Sequence, residues 1–152
     1  MKKWLEIALK EIGVKEIRGG ENARIIEYHA STTLKAREDE IPWCSSFVNW
    51  VMTQAGYKGT NSAAAKSWLS WGKEIPKPEK GCICVIKKKS AGSDAATGSA
   101  SGYHVGFFVS EDANYVYLIG GNQSDQVKIS GFNLRAYDIC GYRMPEEVIK
   151  GE

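Results

Sequence analysis

The stretch Pro42-Trp43-Cys44-Ser45-Ser46-Phe47-Val48-Asn49-Trp50-Val51-Met52 decides how the rest of the chain is read. Pro42 disfavours helix before it. From Cys44 onward the apolar positions Phe47, Val48, Val51, Met52 and Ala55 recur at i+3, i+4 and i+7, the stripe of a buried helix that Gly56 ends. Cys44 therefore falls in the first turn, where unpaired backbone N–H groups and the positive end of the helix dipole favour an anion and lower a thiol pKa. A free thiol is more often inert packing than a nucleophile, so the reading depends on what else the chain supplies. Tyr103-His104-Val105-Gly106-Phe107 supplies an imidazole at the start of a strand. The chain has only two histidines, and His29 lies on the apolar face of another helix, where packing accounts for it.

At 152 residues, 43% hydrophobic and 25% charged, the chain has the size and composition of one domain, residues 1–152, with a real core and no need of a disulfide scaffold. Its net charge is +2, and no basic cluster is interleaved with aromatics, so nucleic acid is not an expected partner. Lys73 to Lys89 holds six Lys and two Glu, a local balance of +4 that suits a solvated strand end or approach to an anionic polymer such as a cell wall. Glu6, Lys10 and Glu11 interrupt the apolar run that a signal peptide after Met1-Lys2-Lys3 would need. With no targeting or transmembrane segment, the expectation is synthesis in the cytoplasm and action elsewhere only after lysis or another export route. Membrane insertion is not expected. Four cysteines do not force a disulfide.

The first half reads as helices. Trp4, Leu5, Ala8, Leu9 and Ile12 place one over residues 3–12; Asn22 caps a second with Ile25, Ile26 and His29 inward; Ser31 to Glu40 links it to the Cys44 helix; and Asn61 or Ser62 caps a fourth carrying Ala65, Trp68, Leu69 and Trp71, stopped by Gly72. From Gly81 the pattern becomes short strands: 82–86, 104–109, 115–119, 126–129 and 138–142, with a tight turn at Asp112-Ala113-Asn114. Helices followed by an antiparallel sheet is the α+β arrangement. The run from Ser90 to Gly102 is small, polar and without periodicity, and is expected to be a mobile loop beside His104.

Amide hydrolysis by a thiol needs the thiolate, a histidine, a polar group to orient the histidine, and oxyanion donors. Gly120-Gly121-Asn122-Gln123, at the end of the next strand, is the place to look for the orienting group. Asn122 is the first choice to accept from the imidazole and fix its tautomer, although a turn role explains Asn and Gly there about as well. The N–H of Cys44 is the natural oxyanion donor, with Gln123 or a residue just before Cys44, such as Trp43, as a second contributor to that site.

These motifs together, Trp43-Cys44 with Phe47-Val48-Asn49-Trp50, Ser67-Trp68-Leu69 with Trp71-Gly72, the strand begun by Gly81, His104-Val105-Gly106-Phe107 and Gly120-Gly121-Asn122-Gln123, resemble a phage and prophage branch of the CHAP family, the cysteine, histidine-dependent amidohydrolase/peptidases related to NlpC-like, papain-like cysteine peptidases. The resemblance runs from about Trp4 to Arg143. It implies a papain-like α+β fold, hydrolysis of peptidoglycan amide bonds in the manner of an endolysin, and Cys44, His104 and Asn122 as nucleophile, base and orienting residue. No cofactor is expected, and the protein is expected to be a monomer acting on the cell wall. Two positions depart from the pattern: relatives often carry a carboxylate where this chain has Gly120, and Asp where it has Cys82.

Three competing readings follow. A metal site from Cys82, Cys84, His104 and Cys140 lacks the C-x₂-C spacing of zinc knuckles. A non-catalytic wall-binding module would keep the groove without the chemistry, and an acyltransferase would pass the acyl group to an acceptor other than water. The tryptophans at helical spacing are expected to be mainly packing, Trp50 and Trp68 above all.

Overall fold

The structure, a computed structural model, describes residues 1–17, 20, 22–32, 43–90 and 92–147. Pro42 and the polar link beyond Thr32 lie outside the described residues. Three helices come first: α1 (Lys3–Lys10), α2 (Ala23–Ala30) and α3 (Cys44–Gln54). The sequence places all three. Asn22 caps α2 through the N–H of Arg24 at 2.9 Å, and Gly56 follows the end of α3 in the left-handed conformation its missing Cβ permits. The fourth helix is not an α-helix but a six-residue 3-10 helix, Ala65–Ser70, too short to carry the expected stripe.

Six strands follow: β1 (Lys73–Ile75), β2 (Ile83–Lys88), β3 (Tyr103–Glu111), β4 (Tyr115–Gln123), β5 (Gln126–Asn133) and β6 (Tyr137–Met144). They form one antiparallel sheet in the order β1-β6-β2-β3-β4-β5. The fold is thus the α+β, papain-like arrangement the sequence implies. Strand β1 is absent from the sequence reading because three residues, Lys73, Glu74 and Ile75, are too few to show a period.

Helix α3 packs on β3 and β4. Phe47 meets Phe107 with ring centroids 6.3 Å apart, and Gly121 lets the Trp43 ring and Phe47 lie directly against β4, since a Cβ there would come within 2.7 Å of Trp43 and 2.8 Å of Phe47. From the other side Tyr28 of α2 stacks on Trp43 at 5.8 Å and meets Phe47 edge-on at 5.2 Å. Trp43, Phe47, Trp68 and Phe107 are fully buried. Truncating an aromatic in such a position removes about 3–5 kcal/mol, so the start of α3 is held to the sheet by its most strongly packed residues. Trp50 is only half-buried.

Polar residues on α3 fix the next segment. Asn49 Nδ2 donates to Ser45 O and Ser62 O, while its Oδ1 accepts from the N–H of Asn61. Trp68 Nε1 donates to Ser45 Oγ at 2.9 Å. Ser45 and Asn49 therefore tie residues 60–68 to the helix that carries Cys44. Among the described residues no helix is long and apolar enough to cross a membrane.

Candidate active site

The Cys44 thiol sits where two strands part. The β3–β4 register runs from Glu111 opposite Val116 to Phe107 opposite Ile119 and goes no further. The N–H of Val105, two residues nearer the start of β3, lies near enough to the Cys44 sulfur to favour its anion. This brings the thiol beside the residue that follows His104. The N–H groups of Ser45 and Cys44 itself also point at the sulfur, as expected of a helix's first turn. Their pull is outweighed. Cys44 is only 4% exposed, and burial pushes its pKa up to about 11 against the lowering effect of the three N–H groups. The depressed pKa expected from helix position alone is therefore not what the structure shows: the dipole is present, but loss of water dominates.

His104 is fully buried. Its Nε2 lies 2.9 Å from Gln123 Oε1. Which of the two ring nitrogens carries the proton follows from the amide. Gln123 Nε2 donates to Leu118 O at 3.1 Å and Lys128 O at 2.8 Å, so Oε1 is the atom turned to the ring, and a carbonyl oxygen only accepts. His104 Nε2 must then hold the hydrogen, leaving Nδ1 as the basic nitrogen. Nδ1 is buried and without a hydrogen-bond partner among the described residues. Burial moves the imidazole down to about 4, with Gln123 and Asp94 opposing. The described site is therefore a neutral thiol beside a neutral imidazole whose tautomer is fixed.

This corrects three sequence expectations. The partner of His104 is Gln123, not Asn122. The β4–β5 register moves from Gly120 opposite Lys128 to Gln123 opposite Gln126, so β4 carries one extra residue. Such a bulge reverses the alternation of side chains. Regular alternation would put 122 on the face of 120; the bulge puts 123 there. Asn122 absorbs the irregularity with φ +59°, and Ser124 and Asp125 are also left-handed, at +53° and +65°. Backbone of this kind, in residues other than glycine, clusters at functional sites. Asn122 is buried, its Oδ1 has no hydrogen-bond partner among the described residues, and its amide lies under Gly98.

Gln123 is likewise not an oxyanion donor, because both described bonds of its N–H₂ go to backbone carbonyls. Trp43 offers no surface to a substrate: it is fully buried and its Nε1 donates to Glu16 at 2.8 Å. Gly120 gains a reason. A Cβ at that position would lie 2.5 Å from Gln123 Oε1 and 3.3 Å from His104 Nε2, so the residue facing the ring from position 120 must be glycine for the Gln123 carbonyl to reach it.

Cys82 and Cys84 are buried, and Cys140 is exposed. Among the described residues no three His, Cys, Asp or Glu side chains are grouped to hold a metal. His29, fully buried, pairs with Ser46 at 2.8 Å. The loop expected to be mobile is organised: Asp94, Thr97 and Ser99 are buried, and Ala96 O accepts from the N–H of Ser124 at 2.9 Å in the β4–β5 hairpin. Its anchor, Asp94, was invisible in sequence because its partner Tyr137 lies 43 residues away.

Comparison with known proteins agrees with this geometry. No curated protein matches the chain. The family model described as CHAP domain matches residues 36–122, more than half of the chain, and takes in Cys44 and His104 while ending one residue before Gln123. The helix start, the strand histidine and the α+β frame that joins them are accounted for together: the chain belongs to the CHAP domain family, whose function is of the peptidoglycan-hydrolase type.

Proposed function

We propose that this chain hydrolyses an amide bond of peptidoglycan with Cys44 as nucleophile and His104 as base, as an amidase or endopeptidase of the endolysin kind. The observation that supports it best is the amide of Gln123, whose two backbone bonds turn its carbonyl to His104 Nε2 and leave Nδ1 unpartnered among the described residues, on the side chain next to Val105, whose N–H favours the Cys44 anion.

In the reaction so read, the Cys44 proton passes to His104 Nδ1 as sulfur attacks the scissile carbonyl carbon. The carbonyl π electrons move to oxygen, where the N–H of Cys44 stabilises the charge. The tetrahedral intermediate expels the amine, which takes the proton from Nδ1, and a thioester remains on Cys44. Water then gives a proton to Nδ1 and attacks the thioester; the sulfur leaves and recovers that proton. Because the thiol and imidazole begin neutral, transfer to Nδ1 is coupled to attack, and Gln123 Oε1 holds the Nε2–H of the transient imidazolium. Asn122 serves by taking the left-handed backbone conformation at the bulge. The protein works as a monomer without a cofactor, and reaches the wall from the cytoplasm after holin-dependent or other lysis.

Purified peptidoglycan incubated with wild type and Cys44→Ala under reducing conditions, with and without chelator, tests this by mass spectrometry of the soluble fragments. Wild type alone should produce new amine and carboxyl termini, insensitive to chelator. Binding without fragments would identify a wall-binding module, and new amide or ester products would identify acyl transfer.

A further inference from the structure

The stretch 92–102 is built round one buried carboxylate. Asp94 Oδ1 accepts from the N–H of Ala96 at 3.0 Å; Oδ2 accepts from the hydroxyls of Thr97 at 3.2 Å and Tyr137 at 2.6 Å. Its own N–H donates to Ser99 O at 2.7 Å. Tyr137 belongs to β6, so the carboxylate joins the stretch to the sheet. From there a row of rings leads to the active site: Tyr137 meets Phe132 edge-on at 5.1 Å, and Phe132 lies against the His104 ring at 5.4 Å. On its other side the stretch reaches the hairpin that carries Gln123, through Ala96 O and through Gly98 resting on the Asn122 amide.

The direct side-chain partner of His104 is a neutral amide, which fixes the ring but adds no charge to balance an imidazolium. Among the described residues, Asp94 is the titratable group that bears on His104, and it supplies the charge that opposes burial at the imidazole. A carboxylate 5% exposed acts through protein rather than water, where screening is weak.

We propose that Asp94 is a positioning residue for catalysis, its carboxylate held by Tyr137, Thr97 and Ala96 so that its charge stabilises the imidazolium formed when His104 takes the Cys44 proton. The proposal rests on the reading of His104 as the base. It makes the stretch 92–102 a working part of the site, and divides between two residues the tasks that one carboxylate on the ring would perform: Gln123 selects the tautomer and Asp94 supplies the charge.

The test is an NMR titration of the His104 imidazole in Cys44→Ala and in Cys44→Ala with Asp94→Asn. Asparagine keeps an oxygen for Ala96 and a polar group for Tyr137 while removing the charge. The His104 midpoint should fall by about half a unit or more, a threefold or greater change in proton affinity. With Cys44 intact, Asp94→Asn should lower kcat more than it changes KM and move the acid limb of the pH profile, where His104 takes up its proton, to lower pH. An unchanged His104 midpoint in a folded Asp94→Asn protein overturns the proposal. Should that variant not fold, Tyr137→Phe serves: it removes the hydroxyl that holds the carboxylate to the sheet, so the midpoint should fall, and an unchanged midpoint overturns the proposal. The titration needs no substrate, so its failure leaves the hydrolase reading intact, and absence of peptidoglycan cleavage leaves the titration readable.

Discussion

Replacing Gly120 by alanine separates the role of Gln123 in chemistry from its role in stability. The new methyl would stand 2.5 Å from Gln123 Oε1 and 3.3 Å from His104 Nε2. Both nearest atoms end side chains, and Gly120 does not have the positive φ that would strain alanine, so the strand can accept the residue if the amide moves away from the ring. That movement breaks the 2.9 Å contact, a loss of about 1 kcal/mol for an ordinary hydrogen bond and somewhat more where a buried donor is left unpaired. Alanine in place of glycine returns about 0.4–1 kcal/mol by restricting the unfolded chain. The two nearly cancel, and the melting temperature should move by only a few degrees. Activity has no such compensation. If a contact of about 1.4 kcal/mol keeps Nε2 protonated and Nδ1 directed to the thiol, its loss lowers kcat/KM about tenfold. The assay is release of peptidoglycan fragments at substrate concentrations well below KM, beside a urea melt of the same preparation. Gln123→Ala added to Gly120→Ala should cost little more activity, because the contact is already gone. Wild-type kcat/KM in Gly120→Ala, or full additivity of the two substitutions, would refute the reasoning.

Cys44→Ala should abolish fragment release while keeping the melting transition, and Cys44→Ser should be far less active than wild type because a hydroxyl is a poorer anion at neutral pH; near-normal turnover by serine contradicts the nucleophile. His104, held near 4 in the fold against an ordinary 6.5, ties stability to pH. The unfolded chain takes its proton first, so this contribution is complete above pH 6.5 and is lost as pH falls to 4, about 3 kcal/mol in all. Urea midpoints over that range should drop in wild type and drop less in His104→Gln. Glu11→Ala removes the acceptor of the buried Tyr28 hydroxyl, 2.7 Å away, and the partner of the half-exposed Arg24. The ion pair adds little, but the stranded phenol should destabilise the fold by about 2 kcal/mol with fragment release per folded molecule unchanged.

The elements that carry the site are legible in the sequence because periodicity and capping act locally. The Cys44 helix follows from the spacing of Phe47, Val48, Val51 and Met52, and the His104 strand from its apolar alternation. The contact between His104 and Gln123 is not legible for a definable reason: one extra residue in β4 changes which side chain faces the ring, and nothing in Gly120-Gly121-Asn122-Gln123 reveals where the register breaks. The raised thiol pKa is hidden for another. Helix position is a local property, whereas burial of Cys44 depends on how closely β3, β4 and α3 meet. Asp94 fails the sequence test in the same way, since small polar neighbours resemble a loose linker until Tyr137 reaches them from β6.

The bulge in β4 gives the hairpin a parity. Substitutions between Gly120 and Gln123 alter the quality of the contact with His104, but the residue count and the bulge together decide which residue makes it. Losing one residue there together with the bulge would restore alternation and keep the glutamine on the side of the ring, whereas straightening the bulge at the same length would put Asn122 there instead. The arrangement can thus drift in composition, but the extra residue and the bulge must be kept or lost together if the glutamine is to meet the ring.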